Sequence, residues 1–397
     1  MSYKSNEIKY IDNLLAVRGL SSLGVLLVHC LNYSTYSIKD YAGLLGAGIR
    51  GEAWLGKAMS ALWPATAWNF VLFFFVHSGY LMGKVFFLKR YSTEKTDVAR
   101  YYKGRFFRIA PLLYFNLLAC VCLYTYSAPY PVQLFADVLF LNNFTVTLIN
   151  PVSWSLSYEM QYYMAAPFVY KFFGKADLLR LASCLLTIVF FWFCAHFSGG
   201  AISQLIKFVW AFLAGFSVNI ILRLFPAKRF MFCDLFAILF GFIGGNMAFY
   251  VLSNSGHDIA AYPILALFAM ATIYLIELPD REDKPAEDQS KITPAVVFGR
   301  SLTWLGFLSY GIYLWHYPIL YTQGGKIEKA IAYMAGKGLM ASSGPAAGLA
   351  FALLSIPFVL GLTILLSYVT FNFIELRYRP NLYNFERSRL FSKYIKL

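Results

Sequence analysis

The sequence predicts an all-α fold: a polytopic transmembrane helix bundle of about ten spans with both termini in the cytoplasm. Three observations predict it. The chain is 59% hydrophobic and 14% charged, where soluble domains run at roughly 45–50% and 25%. Its apolar runs recur at lengths near the roughly 20 residues that cross a hydrocarbon core. Its Lys and Arg residues gather in alternate connecting segments, as they do in the cytoplasmic loops of membrane proteins.

In chain order, the first apolar segment runs from Leu14 to Tyr33, within an uncharged stretch from Gly19 to Ile38. Bulky Leu31, Asn32 and Tyr33 stand where a leader peptidase needs small residues, so this segment is expected to be a retained span and not a removable signal. Uncharged runs from Ala58 to Gly83, Ile109 to Ala136, Leu181 to Ile206 and Ser301 to Gly325 also reach spanning length. Trp154 to Phe173, Leu205 to Leu224, Leu235 to Leu252, Ile259 to Ile276 and Ala346 to Phe373 bring the total to ten.

Loop charge orients these spans. Lys84 to Arg108 holds eight Lys or Arg residues and Ser127 to Pro151 holds none, so the first segment is expected inside and the second outside. Alternation then places Lys171, Lys175 and Arg180 inside, followed by Arg223, Lys228 and Arg229, the loop from Asp280 to Arg300, and the tail from Arg377 to Lys396. Lys39, Arg50 and Lys57, and later Lys326, Lys329 and Lys337, fall on outer segments as exceptions or as parts of re-entrant or surface helices. Val132 to Leu148 has the length of a further half-span. The expected organisation is one membrane-embedded domain, residues 11–379, and a short basic cytoplasmic tail, residues 380–397.

Several function classes drop out. The net charge of +14 is spread as loop charge, which membrane topology explains without a nucleic-acid partner; attraction to anionic lipid is secondary. The six cysteines lie in or beside apolar segments without CxxC spacing, so neither a disulfide framework nor a metal site is expected. Gly51 to Lys57 reads GEAWLGK, but Ala58 replaces the Ser or Thr that a phosphate-binding loop needs for Mg²⁺. Motifs for a zinc protease, a serine esterase and a soluble HxxxD acyltransferase are absent from the sequence.

Polar residues inside the apolar segments carry the chemistry. Arg18 and His29 are eleven residues apart, close to three helical turns, which puts both on one face with about 16 Å of rise between them. Arg18 alone is adequately explained as a topology-setting charge, but His29 is not, because a lipid-facing position favours Leu. In WSLSYEMQYY, Glu159 shares a face with Ser155 and Tyr163. In FFFVHSGYLMG, Ser78 and Gly79 suit close helix packing, and His77 adds a second imidazole. WLGFLSYGIYLWHYPIL carries His316 near the outer end of its span, where an aromatic belt accounts for the Trp and Tyr residues but not for His. Arg105 and Arg108 lie one turn apart at the cytoplasmic start of the third span, explicable as topology charge and equally suited to gripping neighbouring phosphates bidentately.

Taken together, RGLSSLGVLLVH, FFFVHSGYL, RFFRIAP, WSLSYEMQYY, LSYGIYLWHYPI and FNFIE (Phe371 to Glu375) resemble the acyltransferase 3 family of integral membrane acyltransferases, in that family's order and over roughly Ile11 to Arg379. The resemblance implies an enzyme that moves an acyl group, usually acetyl from acetyl-CoA, to a hydroxyl of an extracytoplasmic carbohydrate such as O-antigen or another surface polysaccharide. It matches Arg18 and His29 to the family's first-helix motif, and Arg105 with Arg108 to its basic pair. Two positions depart from the pattern: Met160 stands where a second carboxylate is common, and His77 where an apolar residue is usual. Many members carry an extra SGNH-type hydrolase domain, which is not expected here because the sequence ends about twenty residues after its last expected span.

An ester transfer needs a base for a weakly nucleophilic hydroxyl, and His is suited to it. His29 is expected to be that base, Glu159 to support its imidazolium, and His316 to face the acceptor. Arg105 and Arg108, with Arg18 beyond them, are expected to bind the CoA phosphates. The expected partners are acyl-CoA, a carbohydrate or glycolipid acceptor, membrane lipids and glycan-synthesis proteins, in the inner (plasma) membrane. The rival class is a transporter or flippase for a glycan or small solute, which also uses intramembrane His, Arg and Glu. The segments from Tyr36 to Ala61 and Thr322 to Pro345 are expected to be outer loops that select the acceptor.

Overall fold

The computed structural model describes residues 12–33, 53–123, 130–145, 149–227, 233–255, 258–278, 294–339 and 344–378, and among them there is helix and no strand. The helices are α1 (Asn13–Tyr33), α2 (Ala53–Phe87), α3 (Lys95–Leu123), the short α4 (Tyr130–Val138), α5 (Trp154–Phe173), α6 (Leu178–Phe197), the short α7 (Gly200–Ile206) and α8 (Val209–Leu224). They continue with α9 (Cys233–Leu239), running through a wide turn into α10 (Gly245–Asn254), then α11 (Asp258–Glu277), α12 (Pro294–Gly336) and α13 (Gly344–Thr370).

Eight of these segments are long and apolar enough to cross a membrane, and the chain is a multi-pass membrane protein. Two other helices of spanning length, Trp154–Phe173 and Pro294–Gly336, fall outside that set. They carry Glu159, Gln161 and five tyrosines or tryptophans in one case, and His316 among Trp, Tyr and Ser in the other, which lowers their hydropathy. Both therefore hold the polar residues singled out from the sequence. Position in the bundle follows composition: only 6% of the α6 span is buried, whereas 72% of the Trp68–Phe87 span is.

Close packing sets the register of the two helices that matter most. A Cβ added at Gly306 would lie 2.0 Å from the Leu15 carbonyl oxygen, and one at Gly19 would lie 2.4 Å from that of Leu302, so α1 and α12 touch backbone to backbone. The offset between these glycines is 306 − 19 = 287 positions. His29 and His316, further along the same two helices, are also 287 apart and in contact. α1 and α12 thus run parallel without slipping between the two contacts. A second glycine seam joins α2 to α8, where Gly79 faces the Phe212 carbonyl and Gly215 that of Val76.

α12 is also held from the side. Pro318 has no N–H, which frees the carbonyl four residues earlier. That carbonyl, Leu314 O, accepts from Asn116 Nδ2 of α3 at 3.3 Å and from Asn150 Nδ2 at 3.0 Å. Asn150 Nδ2 also donates to Asn116 Oδ1 at 2.7 Å. The helix break thus becomes a clamp two residues below His316.

Two sequence expectations change here. Val132 to Leu148 is helical only in part: α4 has nine residues and ends at Val138, and a turn at Asn142–Phe144 follows it. Thr322 to Gly336 is not a loop but the last part of the 43-residue α12. Lys326 and Lys329 therefore sit on a helical extension. Most of Tyr36 to Ala61, the loop from Asp280, and the tail from residue 379 lie outside the described residues.

Candidate active site

The starts of α1 and α3 and the ends of α2, α11 and α13 enclose, together with α12, a cavity of about 530 Å³. Arg18, Lys84, Arg90, Arg105 and Arg108 line it, against the acids Asp12, Glu277 and Glu375. One of these cations is already matched: Lys84 Nζ meets Glu277 Oε2 at 2.5 Å. The Nε atoms of Arg18 and Arg105 and Nε2 of His77 are buried without a hydrogen-bond partner among the described residues. Buried donors left unmade cost about 1–3 kcal/mol each, so this wall has the chemistry to receive an anionic, hydrogen-bond-accepting ligand. A wide π-type turn at Phe371–Glu375 brings Glu375 to the same cavity.

Deeper in the bundle lies a second, narrow cavity of about 40 Å³ that shares Arg18, Ser309 and Tyr310 with the first. Its remaining polar wall is Ser155, Glu159 and Tyr313. Glu159 Oε1 accepts from Ser78 Oγ at 2.6 Å and from the Tyr163 hydroxyl. Ser155 Oγ and Tyr313 OH are 2.8 Å apart. Ser78 therefore bonds the carboxylate while its neighbour Gly79 does the packing that the small-residue pair suggested.

The Tyr313 ring lies 5.8 Å from that of His316, and His316 meets His29. His29 Nδ1 and His316 Nε2 are 2.8 Å apart. The ring centroids are 5.0 Å apart and the planes differ by 9°. A separation equal to one N···N contact plus two ring radii means that the rings lie end to end, not face to face. His316 Nδ1 is 3.1 Å from the Ile312 carbonyl. A carbonyl only accepts, so His316 Nδ1 carries a proton, and in a neutral His316 the Nε2 must accept. His29 then donates through Nδ1, which leaves the Nε2 lone pair of His29 unprotonated. His316 is 1% exposed, while His29 is half-buried. The accessible imidazole is thus the one whose outer nitrogen is bare.

The structure brings the sequence-selected residues together as two groups: Arg18, Arg105 and Arg108 around the large cavity, and His29 with His316, whose ring neighbours Tyr313 of the narrow one. Glu159 lines the narrow cavity. One expected pairing changes: the partner of His29 is His316, and the hydrogen bonds of Glu159 go to Ser78 and Tyr163. A helix-face argument places Tyr163 correctly beside Glu159 but cannot pair residues 287 positions apart. Lys84, Arg90, Glu277, Ser309 and Tyr310 were not selected as site residues, because as loop charge or helix polarity they carry no pattern of their own. The Asn116 and Asn150 clamp was signalled by Pro318 alone. Among the described residues, no cluster of three or more His, Cys, Asp or Glu side chains forms a metal site.

A basic cavity and an oriented imidazole pair in a helical membrane bundle are parts from which an acyl transfer can be built, and comparison with known proteins shows that class: the chain is a membrane acyltransferase. The chain belongs to the acyltransferase 3 family: a family model described as an acyltransferase domain matches residues 8–374. It is similar to the O-acetyltransferase OatA of Staphylococcus aureus strains NCTC 8325 / PS 47, COL and MRSA252. In each case it is 25% identical over 337 residues, covering 72% of this chain and 51% of the relative. The chain thus spans about half the length of the curated relatives it matches. No solved structure matches it.

Proposed function

We propose that this protein transfers an acetyl group from cytoplasmic acetyl-CoA to a hydroxyl of an extracytoplasmic carbohydrate, such as O-antigen or another surface polysaccharide. It works in the inner (plasma) membrane with ten spans, both termini cytoplasmic and residues 11–379 as its working domain. The observation that carries this reading is the His29 and His316 pair, whose hydrogen bonds leave His29 Nε2 as a base. Loop charge supports a cytoplasmic position for the end of the bundle that carries Arg90, Arg105 and Arg108. Similarity to an O-acetyltransferase supports acetyl as the group moved.

In this reading the guanidinium forks of Arg105 and Arg108, with Arg90 and Arg18, hold the phosphates of the donor. The pantetheine arm extends past Tyr310 and Tyr313 toward His29, about 16 Å of helix rise beyond Arg18. His29 Nε2 takes the proton of the acceptor hydroxyl as its oxygen attacks the thioester carbonyl. When the C–S bond breaks, the imidazolium returns that proton to the departing sulfur, giving the ester and free CoA. His316 accepts the hydrogen bond from Nδ1 and holds the tautomer, the part a carboxylate plays in a hydrolase triad. Glu159 is a positioning residue: its negative charge balances Arg18 in the narrow cavity.

The test is acetate released by mild base from the surface polysaccharide of cells fed labelled acetyl donor. Cells with the wild-type chain should yield ester, and cells with His29→Ala at equal membrane levels should yield none. Ester in both, or in neither, would overturn the reading.

A further inference from the structure

Away from the basic cavity is a third cavity, of about 210 Å³, formed by α2, α5, α7 and the turn after α4. On α2, Trp68 lies sixteen residues before Lys84, about 24 Å of helix rise toward the opposite end of the bundle. The pocket is smaller than the roughly 300–1,000 Å³ of drug-sized sites, a scale that suits a single sugar ring. Nothing in the transfer step uses it.

Its walls are of two kinds. Trp68, Trp154, Tyr158 and Phe208 form an aromatic box, with Trp154 and Phe208 centroids 5.5 Å apart and Tyr158 edge-on to Phe208 at 5.0 Å. The other wall is built of amides fixed in place by their own bonds. Asn143 Oδ1 accepts from Gln161 Nε2 at 3.0 Å, Asn143 Nδ2 donates to the Gln204 carbonyl at 3.2 Å, and Gln204 Oε1 accepts from Tyr158 OH at 3.1 Å. Flat rings offer their faces to the C–H side of a pyranose, and amides offer both donor and acceptor to its hydroxyls. Lys207, whose Nζ sits 5.7 Å from the Phe208 ring centroid, adds one cation to a lining without a carboxylate.

Two connections tie this pocket to the reacting end. Phe75 lines the narrow cavity and packs against Trp154 at 6.1 Å and Phe208 at 4.9 Å, so one ring separates the two spaces. A polar chain also runs from the pocket to α12. Asn142 in the lining donates to Asp137 Oδ1 and Ser153 Oγ, the Ser153 backbone N–H donates to the Asn150 carbonyl, and Asn150 holds Leu314 O below His316. We infer that this pocket binds one sugar ring of the carbohydrate acceptor, stacked on the aromatic box and read at its hydroxyls by Asn143 and Gln204. This rests on the transfer reading above.

The experiment uses the full-length protein in detergent and, as acceptor, the surface polysaccharide fraction of cells that lack it. With Gln204→Ala and Asn143→Ala, the polysaccharide concentration for half-maximal ester formation should rise at least tenfold, while that for acetyl-CoA stays within twofold. Unchanged acceptor dependence in both variants would overturn the inference, as would a parallel rise for the donor. Tryptophan quenching by the same polysaccharide, without donor, separates the two readings. Quenching by wild type that Gln204→Ala loses supports the pocket even where no ester forms and only the transfer reading falls. No quenching by wild type, or equal quenching in both, overturns the pocket.

Discussion

His29 and His316 lie end to end, joined Nδ1 to Nε2 at 2.8 Å, with the Ile312 carbonyl behind them. This chain of bonds fixes which nitrogen of His29 is bare, and the two histidines should therefore fail differently. His29→Ala should abolish transfer. His316→Ala leaves the base but frees its tautomer and rotation, so kcat should fall by about 10²–10⁴-fold, the range of acid–base effects, with the acetyl-CoA KM unchanged. Comparison of kcat and KM at matched membrane levels checks this, and a wild-type rate in His316→Ala would refute it.

Arg105 and Arg108 should show the opposite split. A hydrogen bond to a charged group contributes about 1.5–3 kcal/mol, or about 10- to 100-fold in affinity. Arg108→Ala should raise the acetyl-CoA KM by that factor with little loss of kcat, and Arg108→Lys should recover only part because a point charge lacks the fork. Steady-state kinetics with varied donor decides between this and a purely topological role.

Gly306 and Gly361 give a matched pair of helix substitutions. A Cβ at Gly306 meets the Leu15 carbonyl, whereas one at Gly361 meets nothing within 4 Å. Gly306→Ala should cost about 1–3 kcal/mol of stability through overpacking and separate the two imidazoles. Gly361→Ala should be neutral or slightly stabilising. Thermal unfolding in detergent together with activity reads both effects.

Asp137 is surrounded by donors: Asn142 Nδ2, Ser153 Oγ and the Ile149 N–H all point their hydrogens at its carboxylate. Asp137→Asn replaces one acceptor by a donor in either amide orientation, so stability should fall by about 1–3 kcal/mol. A midpoint unchanged from wild type would show that the surroundings rearrange freely.

Much of this architecture was legible in the sequence because membrane solubility writes it there as hydropathy. The same measure fades at Trp154–Phe173 and Pro294–Gly336, where Tyr158, Tyr162, Tyr163, Tyr313, Trp315 and His316 are buried against neighbouring helices. His29, Glu159 and the Arg105 and Arg108 pair stood out because an ionisable residue in an apolar run needs a reason. Their mutual arrangement did not. Helical periodicity relates residues on one helix, as with Glu159 and Tyr163, but says nothing about which helices adjoin. The pairing of His29 with His316 depends on Gly19 and Gly306, small residues that look alike wherever they occur. The aromatic and amide pocket was equally hidden, since Trp68, Asn143, Trp154 and Gln204 come from four separate stretches.

The seam between α1 and α12 joins one of the earliest described helices of the chain to one of the latest. During synthesis the first histidine enters the membrane long before the second exists. A ribosome that stalls anywhere in the first three hundred residues leaves behind an imidazole with no mate and no fixed tautomer. Under the proposed mechanism, competence for transfer therefore arrives only when α12 has been made and seated against α1, near the end of synthesis.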